Sequence, residues 1–172
     1  MNNVAVFLDY GSIAAQAESN HAGLNFGSFL SYLADIDEGR NLKVAFAYAP
    51  IDSRNPRQSS DEISKLWAAG YIVREKALVN NSDFKVEMTL DIMKTCADIK
   101  PDIMVLVTGD ADFVPVVAEL RQKGIRVEVA AFQSAMSDML SKQSSGTILI
   151  DALAKTPEPP TASAQRLSVT SF

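Results

Sequence analysis

A short, wholly apolar run at residues 103–107 is the feature that most constrains how this chain folds. Its sequence is Ile-Met-Val-Leu-Val, without the polar alternation of a half-buried strand. Such a run is typical of a strand that is buried on both faces, as in a parallel sheet covered by helices on both sides. Thr108 and Gly109 end the run, and two acids, Asp110 and Asp112, follow at once. The pattern therefore predicts a covered parallel sheet with carboxylates at one strand end.

The rest of the chain alternates strand-like and helix-like segments. Strands are predicted at residues 4–9, 42–49, 71–78, 103–107, 126–132 and 147–150, the last at a sheet edge. Helices are predicted between them, at residues 10–17, 26–36, 59–69, 82–97, 113–123 and 134–142. Because strands that alternate with helices pair in parallel through crossover connections, we expect an α/β fold: a three-layer α/β/α sandwich with a mainly parallel sheet.

Cap residues mark where several of these helices begin and end. Ser59 and Glu62 have the spacing of a capping box, and Asp112 can accept a hydrogen bond from the helix that follows it. Glycines that follow helical stretches are typical of C-terminal ends, since glycine adopts the left-handed backbone at low cost. The predicted caps are Ser59, Ser82 or Asp83, Asp112 and Ser134, and the predicted ends are Gly39, Gly70 and Gly124.

Length and composition favour one domain followed by a tail. Of the 172 residues, 47% are hydrophobic, which is enough for a sizeable core. Pro, Ser, Thr and Ala dominate near the C-terminus, so we predict a domain over residues 1–154 and a disordered tail over residues 155–172. The net charge of −5 argues against a high-affinity, non-specific nucleic-acid binder, which needs a basic field.

Cysteine and histidine content argues against several kinds of site. Cys96 is the one cysteine and lies in a helical apolar pattern, where we expect a buried thiol rather than a nucleophile. His21 stands in a polar segment without a second histidine, so zinc coordination and a Ser-His-Asp triad are poorly supported. The sequence has no disulfide pair, charged leader or long apolar run, so we expect a soluble, cytoplasmic protein that avoids membranes.

Acidic residues follow two predicted strands and occupy one predicted helix. Asp9 ends the first strand, and Asp110 and Asp112 follow the fourth. Asp91 lies in the helix before the fourth strand. The carboxyl ends of parallel strands form one edge of a sheet, where ligands bind in folds of this class. Clustered carboxylates repel each other unless protons, cations or a metal neutralise them. Oxygen ligands at a partly open site suit Mg²⁺ or Mn²⁺, which can activate water for attack on a phosphodiester.

Plainer interpretations of the same acids stay open. An Asp at a strand end often shapes a turn or caps a helix, and Asp112 has that alternative directly available. Glu87 lies one turn before Asp91 on the same helical face, where we expect a solvated position. The chain has neither the G-x-x-x-x-G-K-[ST] nor the G-x-G-x-x-G phosphate-binding motif. The pattern alone therefore does not decide between a metal site and ordinary turn and surface residues.

Three segments resemble the NYN domain of LabA-like proteins, within the PIN-like nuclease superfamily. They are Phe7-Leu-Asp-Tyr-Gly-Ser12, Met88-Thr-Leu-Asp-Ile-Met93 and Val107-Thr-Gly-Asp-Ala-Asp-Phe-Val-Pro-Val116, and the likeness covers residues 4 to 153. The resemblance implies a PIN-like α/β/α sandwich that cleaves RNA with bound Mg²⁺ or Mn²⁺. By position, it implies that the catalytic and metal-binding acids are Asp9, Asp91, Asp110 and Asp112.

Two positions depart from the family pattern. Ser12 stands where the family has an Asn after the first acid. Lys85 stands where the family has an Asp, six residues before Asp91. A hydroxyl still forms hydrogen bonds, so the first change is mild. A cation at a ligand position, by contrast, either disfavours a metal ion or substitutes for its charge.

These observations lead to two main hypotheses. The first is a Mg²⁺- or Mn²⁺-dependent ribonuclease whose substrate is RNA, most simply single-stranded. Its predicted substrate contacts, chosen because cations and hydroxyls bind phosphate oxygens, are Ser12, Thr108, Lys85, Arg54 and Arg57, with Arg74 as a further candidate. The alternative is a non-catalytic regulatory protein on the same fold that binds RNA, a protein partner or a second copy of itself. A nucleotide-binding protein is a weaker third possibility, because nothing in the sequence selects a base or sugar.

Overall fold

The computed structural model describes residues 1–35, 37–77 and 83–154. The predicted tail and Ser82 lie outside these residues. Within them, the strands are β1 (Asn2–Leu8), β2 (Arg40–Ile51), β3 (Ile72–Ala77), β4 (Ile103–Val107), β5 (Arg126–Ala131) and β6 (Gly146–Leu149). The α-helices are α1 (Tyr10–Ser19), α2 (Phe26–Leu33), α3 (Pro56–Ala68), α4 (Lys85–Asp98), α5 (Val114–Gln122) and α6 (Asp138–Gln143). None of these helices has the length and apolar character that a membrane crossing requires.

The strands form one parallel sheet in the order β3-β2-β1-β4-β5-β6. β1 is central, and its residue Phe7 pairs with Phe46 of β2 on one side and with Leu106 of β4 on the other. The predicted α/β/α sandwich is therefore confirmed, and so is the edge position of β6. β3 forms the opposite edge.

Two hydrophobic cores lie on the two faces of the sheet. Side chains alternate along a strand, so Val4, Val6 and Leu8 face one core, which α1, α2 and α3 cover. Phe7 faces the other core, which α4, α5 and α6 cover. Cys96 of α4 is buried in this second core, as predicted. Helices on both faces explain why the strands are apolar without alternation.

Three predicted helix starts are wrong. α3 begins at Pro56, with Asn55 as its cap, because proline is tolerated in the first turn of a helix, where its missing N–H leaves no bond unmade. Ser59 therefore lies inside α3. At α6, the side chain of Ser137 accepts the capping hydrogen bond, whereas Ser134 lies in a preceding 3₁₀ turn. The first two errors arose because several Ser and Asn residues compete for the same role. At α4 the N-cap residue is Phe84 and not the predicted Asp83, although the Asp83 side chain accepts the N–H of Lys85.

Element boundaries also differ at β2 and α2. β2 continues through Pro50, where the sequence predicted an end. β1 ends opposite Ala47, so β2 is flanked on one side only at Pro50, and a residue without an N–H is tolerated there. α2 ends at Leu33, earlier than predicted, whereas α3 and α5 are followed by Gly70 and Gly124 as expected.

The order of the strands creates one position suited to a ligand. From β1 the chain crosses to β2 on one side, and from β4 it crosses to β5 on the other. Connections that leave in opposite directions open a crevice above the carboxyl ends of the two strands. Asp9 follows β1 directly, and the loop of Asp110 and Asp112 follows β4.

Candidate functional site at the ends of two central strands

Asp9 joins the end of β1 to the start of α1. Its backbone N–H donates a hydrogen bond to the carbonyl of Val107, 3.1 Å away, which ties the end of β1 to the end of β4. One carboxylate oxygen of Asp9 accepts the N–H of Ser12 at 3.5 Å and so caps the first turn of α1. These bonds hold the Asp9 side chain at the carboxyl end of β1.

A tight loop after β4 carries Asp110 and Asp112. Thr108 is fully buried, and its hydroxyl accepts the N–H of Asp110 at 3.3 Å. The Oδ1 atom of Asp110 accepts the N–H of Asp112 at 2.9 Å and caps the 3₁₀ turn Ala111–Phe113. Asp110 is the cap residue, so the predicted capping role of Asp112 is wrong. The Asp112 side chain is 68% exposed and points its carboxylate out of the loop.

Gly109 allows this loop to pack closely on the loop after β5. Its carbonyl accepts the N–H of Ser137 at 3.0 Å. A Cβ at position 109 would lie 2.8 Å from the carbonyl carbon of Ala135 and would collide with the carbonyl oxygen of that residue. Only glycine fits here without a shift of backbone, and the tight contact fixes the position of the two acids.

The ammonium of Lys85 lies between those two acids. Its Nζ atom is 2.8 Å from Oδ2 of Asp110 and 2.6 Å from Oδ2 of Asp112. Oδ2 of Asp83 is 3.7 Å away. Lys85 is the first residue of α4, so the helix start directs its side chain over the end of β4. Lys85, one of the two residues that depart from the family pattern, therefore lies among three carboxylates.

The carboxylates carry more negative charge than Lys85 neutralises. The pKa of Asp9 is raised from 3.8 to about 6, mainly by burial. The charges of Asp110 and Asp83 add to the rise, and the hydrogen bond from Ser12 and the charge of Lys85 oppose it. Burial would also raise the pKa of Asp110, but the hydrogen bonds from Lys85 and the N–H of Asp112, together with the charge of Lys85, outweigh it, and the net pKa is lowered. The strand-end cluster, defined as Asp9, Asp83, Asp110, Asp112 and Lys85, thus retains surplus negative charge.

Asp91 belongs to a different set of contacts. Arg74 of β3 forms two hydrogen bonds with its carboxylate, at 3.0 and 3.1 Å. The hydroxyl of Tyr48 on β2 donates a third, at 3.1 Å. These bonds satisfy a carboxylate that is only 9% exposed and fasten α4 to the sheet. Asp91 therefore contacts Arg74 and Tyr48 instead of joining the group around Lys85.

The remaining predicted contact residues are spread over a wider surface. The Ser12 hydroxyl accepts a hydrogen bond from the side-chain amide of Gln16 at 3.0 Å. Arg54 is largely exposed and forms two 3.0 Å bonds with Asp52. Arg57 is exposed on α3. Because Thr108 is buried and bonded within its own loop, it shapes that loop and has no surface for a phosphate.

Sequence reasoning missed Tyr48 and Lys76. Tyr48 lies opposite Arg74 in the register of β2 and β3, which brings its hydroxyl to Asp91. Lys76 forms a 2.8 Å ion pair with Glu87, which was expected to be only a solvated surface residue. Strand register depends on contacts between distant segments, so neither partner had a local signal.

The oxygen donors of the cluster are of the kind that binds a divalent ion. In the structure, however, they are arranged around the ammonium of Lys85. Oxygen donors with surplus negative charge are what Mg²⁺ and Mn²⁺ prefer. Among the residues the structure describes, however, no group of three or more acids, histidines or cysteines is gathered to hold a metal. The Lys85 ammonium occupies the place between Asp110 and Asp112. A divalent ion could bind between Asp110 and Asp112 only after this ammonium has moved.

Comparison with known proteins agrees with the fold and the motifs. The model of the NYN domain family matches residues 3–151. A solved structure of a protein of unknown function from Vibrio parahaemolyticus is 25% identical, with a TM-score of 0.73 over 87% of this chain and 93% of that one. A search of curated proteins found no match. NYN domains belong to the PIN-like nuclease superfamily, and ribonuclease activity is a property of that family. Motifs, architecture and family model agree that this chain belongs to the NYN domain family.

Proposed function

We propose that the chain is a divalent-metal-dependent ribonuclease that hydrolyses phosphodiester bonds in single-stranded RNA. One observation carries the proposal: Asp9 and Asp110 stand at the ends of adjacent parallel strands in a cluster with surplus negative charge. The pKa of Asp9 is raised to about 6, mainly because burial disfavours its charged form, and the charge of Asp110 adds to the rise. Carboxylates kept together at this cost are more typical of a site that binds a cation than of a turn.

The chain's own residues divide into ligands and supports in this proposal. Asp9, Asp110 and Asp112 would hold Mg²⁺ or Mn²⁺. When bound, such an ion lowers the pKa of water and offsets the charge that develops on phosphate. Asp91 would act as a positioning residue, because its bonds to Arg74 and Tyr48 fix α4, which carries Lys85. Ser12 supports Asp9 through its backbone N–H.

Exposed cations outside the cluster would bind the RNA backbone. Arg54 is exposed in the loop before α3, and Arg57 is exposed in the first turn of that helix. Arg54 forms an ion pair with Asp52, so a phosphate must compete with that carboxylate. The contribution of each arginine is therefore expected to be modest, and the bound ion would supply most of the attraction for phosphate.

A second candidate is a non-catalytic protein that binds RNA or a protein partner through the same fold. The position of Lys85 favours it, because an ammonium that pairs with Asp110 and Asp112 can stabilise the cluster without any metal. In this case the acids would serve the fold alone, and the family's reaction would be absent.

Cleavage of labelled single-stranded RNAs of varied sequence separates the two candidates. The wild-type protein is assayed with Mn²⁺ or Mg²⁺ and with EDTA, next to Asp110→Asn and Asp98→Asn. Asp98 is an exposed carboxylate at the far end of α4 and serves as the matched control. The ribonuclease proposal expects metal-dependent cleavage that Asp110→Asn abolishes and Asp98→Asn retains. If no RNA is cut under any of these conditions, the non-catalytic candidate stands.

A further inference from the structure

We propose that Lys85 is a tethered competitor of the divalent ion, which must displace its ammonium from Asp110 and Asp112 before it binds. The inference rests on the proposed function in one respect, namely that a divalent ion binds at this cluster. It adds that a residue of the chain sets the affinity for that ion.

The contacts of Lys85 use the atoms that an ion would need. The Nζ atom is bonded to Oδ2 of both Asp110 and Asp112, at 2.8 and 2.6 Å. A hard cation would take the same carboxylate oxygens as ligands. Two cations so close together would repel each other, so the ammonium and the ion exclude each other from this position.

Lys85 can leave without any change in the backbone. Its side chain is 36% exposed, and a lysine side chain has a flexible four-carbon stem. Its backbone N–H is separately bonded to Oδ1 of Asp83 at 3.2 Å, at the start of α4. The helix start therefore stays in place while the ammonium moves into solvent. This freedom distinguishes a competitor from a fixed structural ion pair such as that of Arg40 and Glu128, whose side chains are only 17% and 5% exposed.

The charges of the cluster allow the Lys85 ammonium and a divalent ion to replace each other. With Lys85 in place, the carboxylates of Asp83, Asp110 and Asp112 lie 2.6 to 3.7 Å from a single ammonium. A divalent ion would bring one more positive charge than the ammonium it displaces. Without such an ion, Lys85 limits the repulsion between Asp110 and Asp112. The fold therefore needs no metal, and metal affinity is weaker than the number of acids suggests.

Calorimetric titration with Mn²⁺ alone tests the competition without any assay of activity. The variants are Lys85→Met, which removes the charge, and Lys85→Arg, which keeps it. Lys94→Met, at an exposed position on the same helix, is the matched control. We expect Lys85→Met to bind Mn²⁺ at least about tenfold more tightly than wild type, because the competing charge is gone. Lys85→Arg and Lys94→Met should bind no more tightly than wild type.

Thermal unfolding with and without Mn²⁺ gives a second measurement. Lys85→Met should melt below wild type without metal, because its carboxylates repel each other, and should gain more from Mn²⁺ than wild type does. If Lys85→Met does not fold, Lys85→Gln replaces it, since an amide keeps hydrogen bonds and lacks the charge.

Equal Mn²⁺ affinity in wild type and the uncharged variant would overturn the inference, and so would the absence of Mn²⁺ binding in both. The outcome is independent of RNA cleavage. A tighter-binding Lys85→Met in a protein that cuts no RNA would support the competition and reject the ribonuclease. Metal-dependent cleavage with equal affinities would do the reverse.

Discussion

Arg40 and Glu128 are joined by two hydrogen bonds of 2.9 and 3.0 Å, although 88 residues separate them in the chain. Arg40 begins β2 and Glu128 lies on β5, so the pair crosses the two intervening strands. Glu128 is 4% exposed and accepts a further bond from Arg126. A buried pair of this kind costs little when complete and much when one partner is removed.

We expect Glu128→Ala to lower the free energy of unfolding by about 3 kcal/mol or more, because Arg40 would be left largely buried without its carboxylate. Urea denaturation measures the change. Glu119→Ala is the control, since Glu119 pairs with Lys123 on an exposed surface and should cost less than about 1 kcal/mol. Similar losses in both variants would contradict the structural role of the buried pair.

The raised pKa of Asp9 predicts how stability changes with pH. Asp9 titrates at about 6 in the folded protein, mainly because of burial, against 3.8 ordinarily. The stability linked to its protonated form is complete below pH 3.8 and is lost as pH rises through about 6. Asp9→Asn should therefore be more stable than wild type at pH 7.5, by at most about 3 kcal/mol, and not at pH 4.

Urea denaturation of Asp9→Asn and wild type at both pH values, in EDTA, measures this difference. Asp98→Asn, an exposed carboxylate, should follow wild type throughout. A constant difference between Asp9→Asn and wild type across pH would show that the folded protein does not destabilise the charged form of Asp9.

The fold was largely predictable because its signals are local. The run at residues 103–107 is apolar at every position, which predicted helices packed on both faces of the sheet. β4 is fully buried in the structure. The glycines after α3 and α5 marked helix ends, and both Gly70 and Gly124 have a positive φ. Cap positions were less predictable, because Ser59 and Asn55 are equally suitable by type. Pro56 decided between them by fixing the first turn of α3.

Gly109→Ala should disturb the loop that holds Asp110 and Asp112. The added methyl group would collide with the backbone of Ala135, which cannot turn aside as a flexible side chain could. We expect a loss of unfolding free energy of about 2 kcal/mol or more. Differential scanning calorimetry measures it as a lower melting temperature.

Gly27→Ala provides the control for Gly109→Ala. A Cβ at position 27 meets its neighbours only at 3.4 and 3.5 Å, which is ordinary contact. Because Gly27 lies in α2, alanine should leave stability unchanged or raise it by up to about 1 kcal/mol. If Gly109→Ala were equally harmless, the close approach of the two loops would be refuted.

Tyr48→Phe should weaken the attachment of α4 to the sheet. The variant removes the donor to buried Asp91, and a hydrogen bond to a charged group contributes about 1.5 to 3 kcal/mol. Tyr71→Phe is the matched control, because its hydroxyl donates to the uncharged carbonyl of Phe26. Tyr71→Phe should lower the free energy of unfolding by about 1 kcal/mol. Chemical denaturation of both variants compares the bonds, and a larger loss in Tyr71→Phe would reject this assignment.

The candidate site was predictable only in part. Asp9 and Asp110 each follow an apolar strand, so their convergence followed from the parallel sheet. The partner of Asp91 did not, because Arg74 reaches it through the register of β2 and β3. The sequence marked Lys85 as unusual, yet only the path of α4 brings its ammonium between two specific oxygens.

The ion pairs of β3 have a consequence for association between molecules. Arg74, Glu75 and Lys76 are consecutive on this strand, which has β2 as its one neighbour in the described sheet. An open strand edge can pair with another chain, and charged residues along it oppose such pairing. Asp91 and Glu87 hold Arg74 and Lys76 in place. The contacts that anchor α4 thus also keep charged side chains along this edge, where we expect them to oppose pairing with another chain.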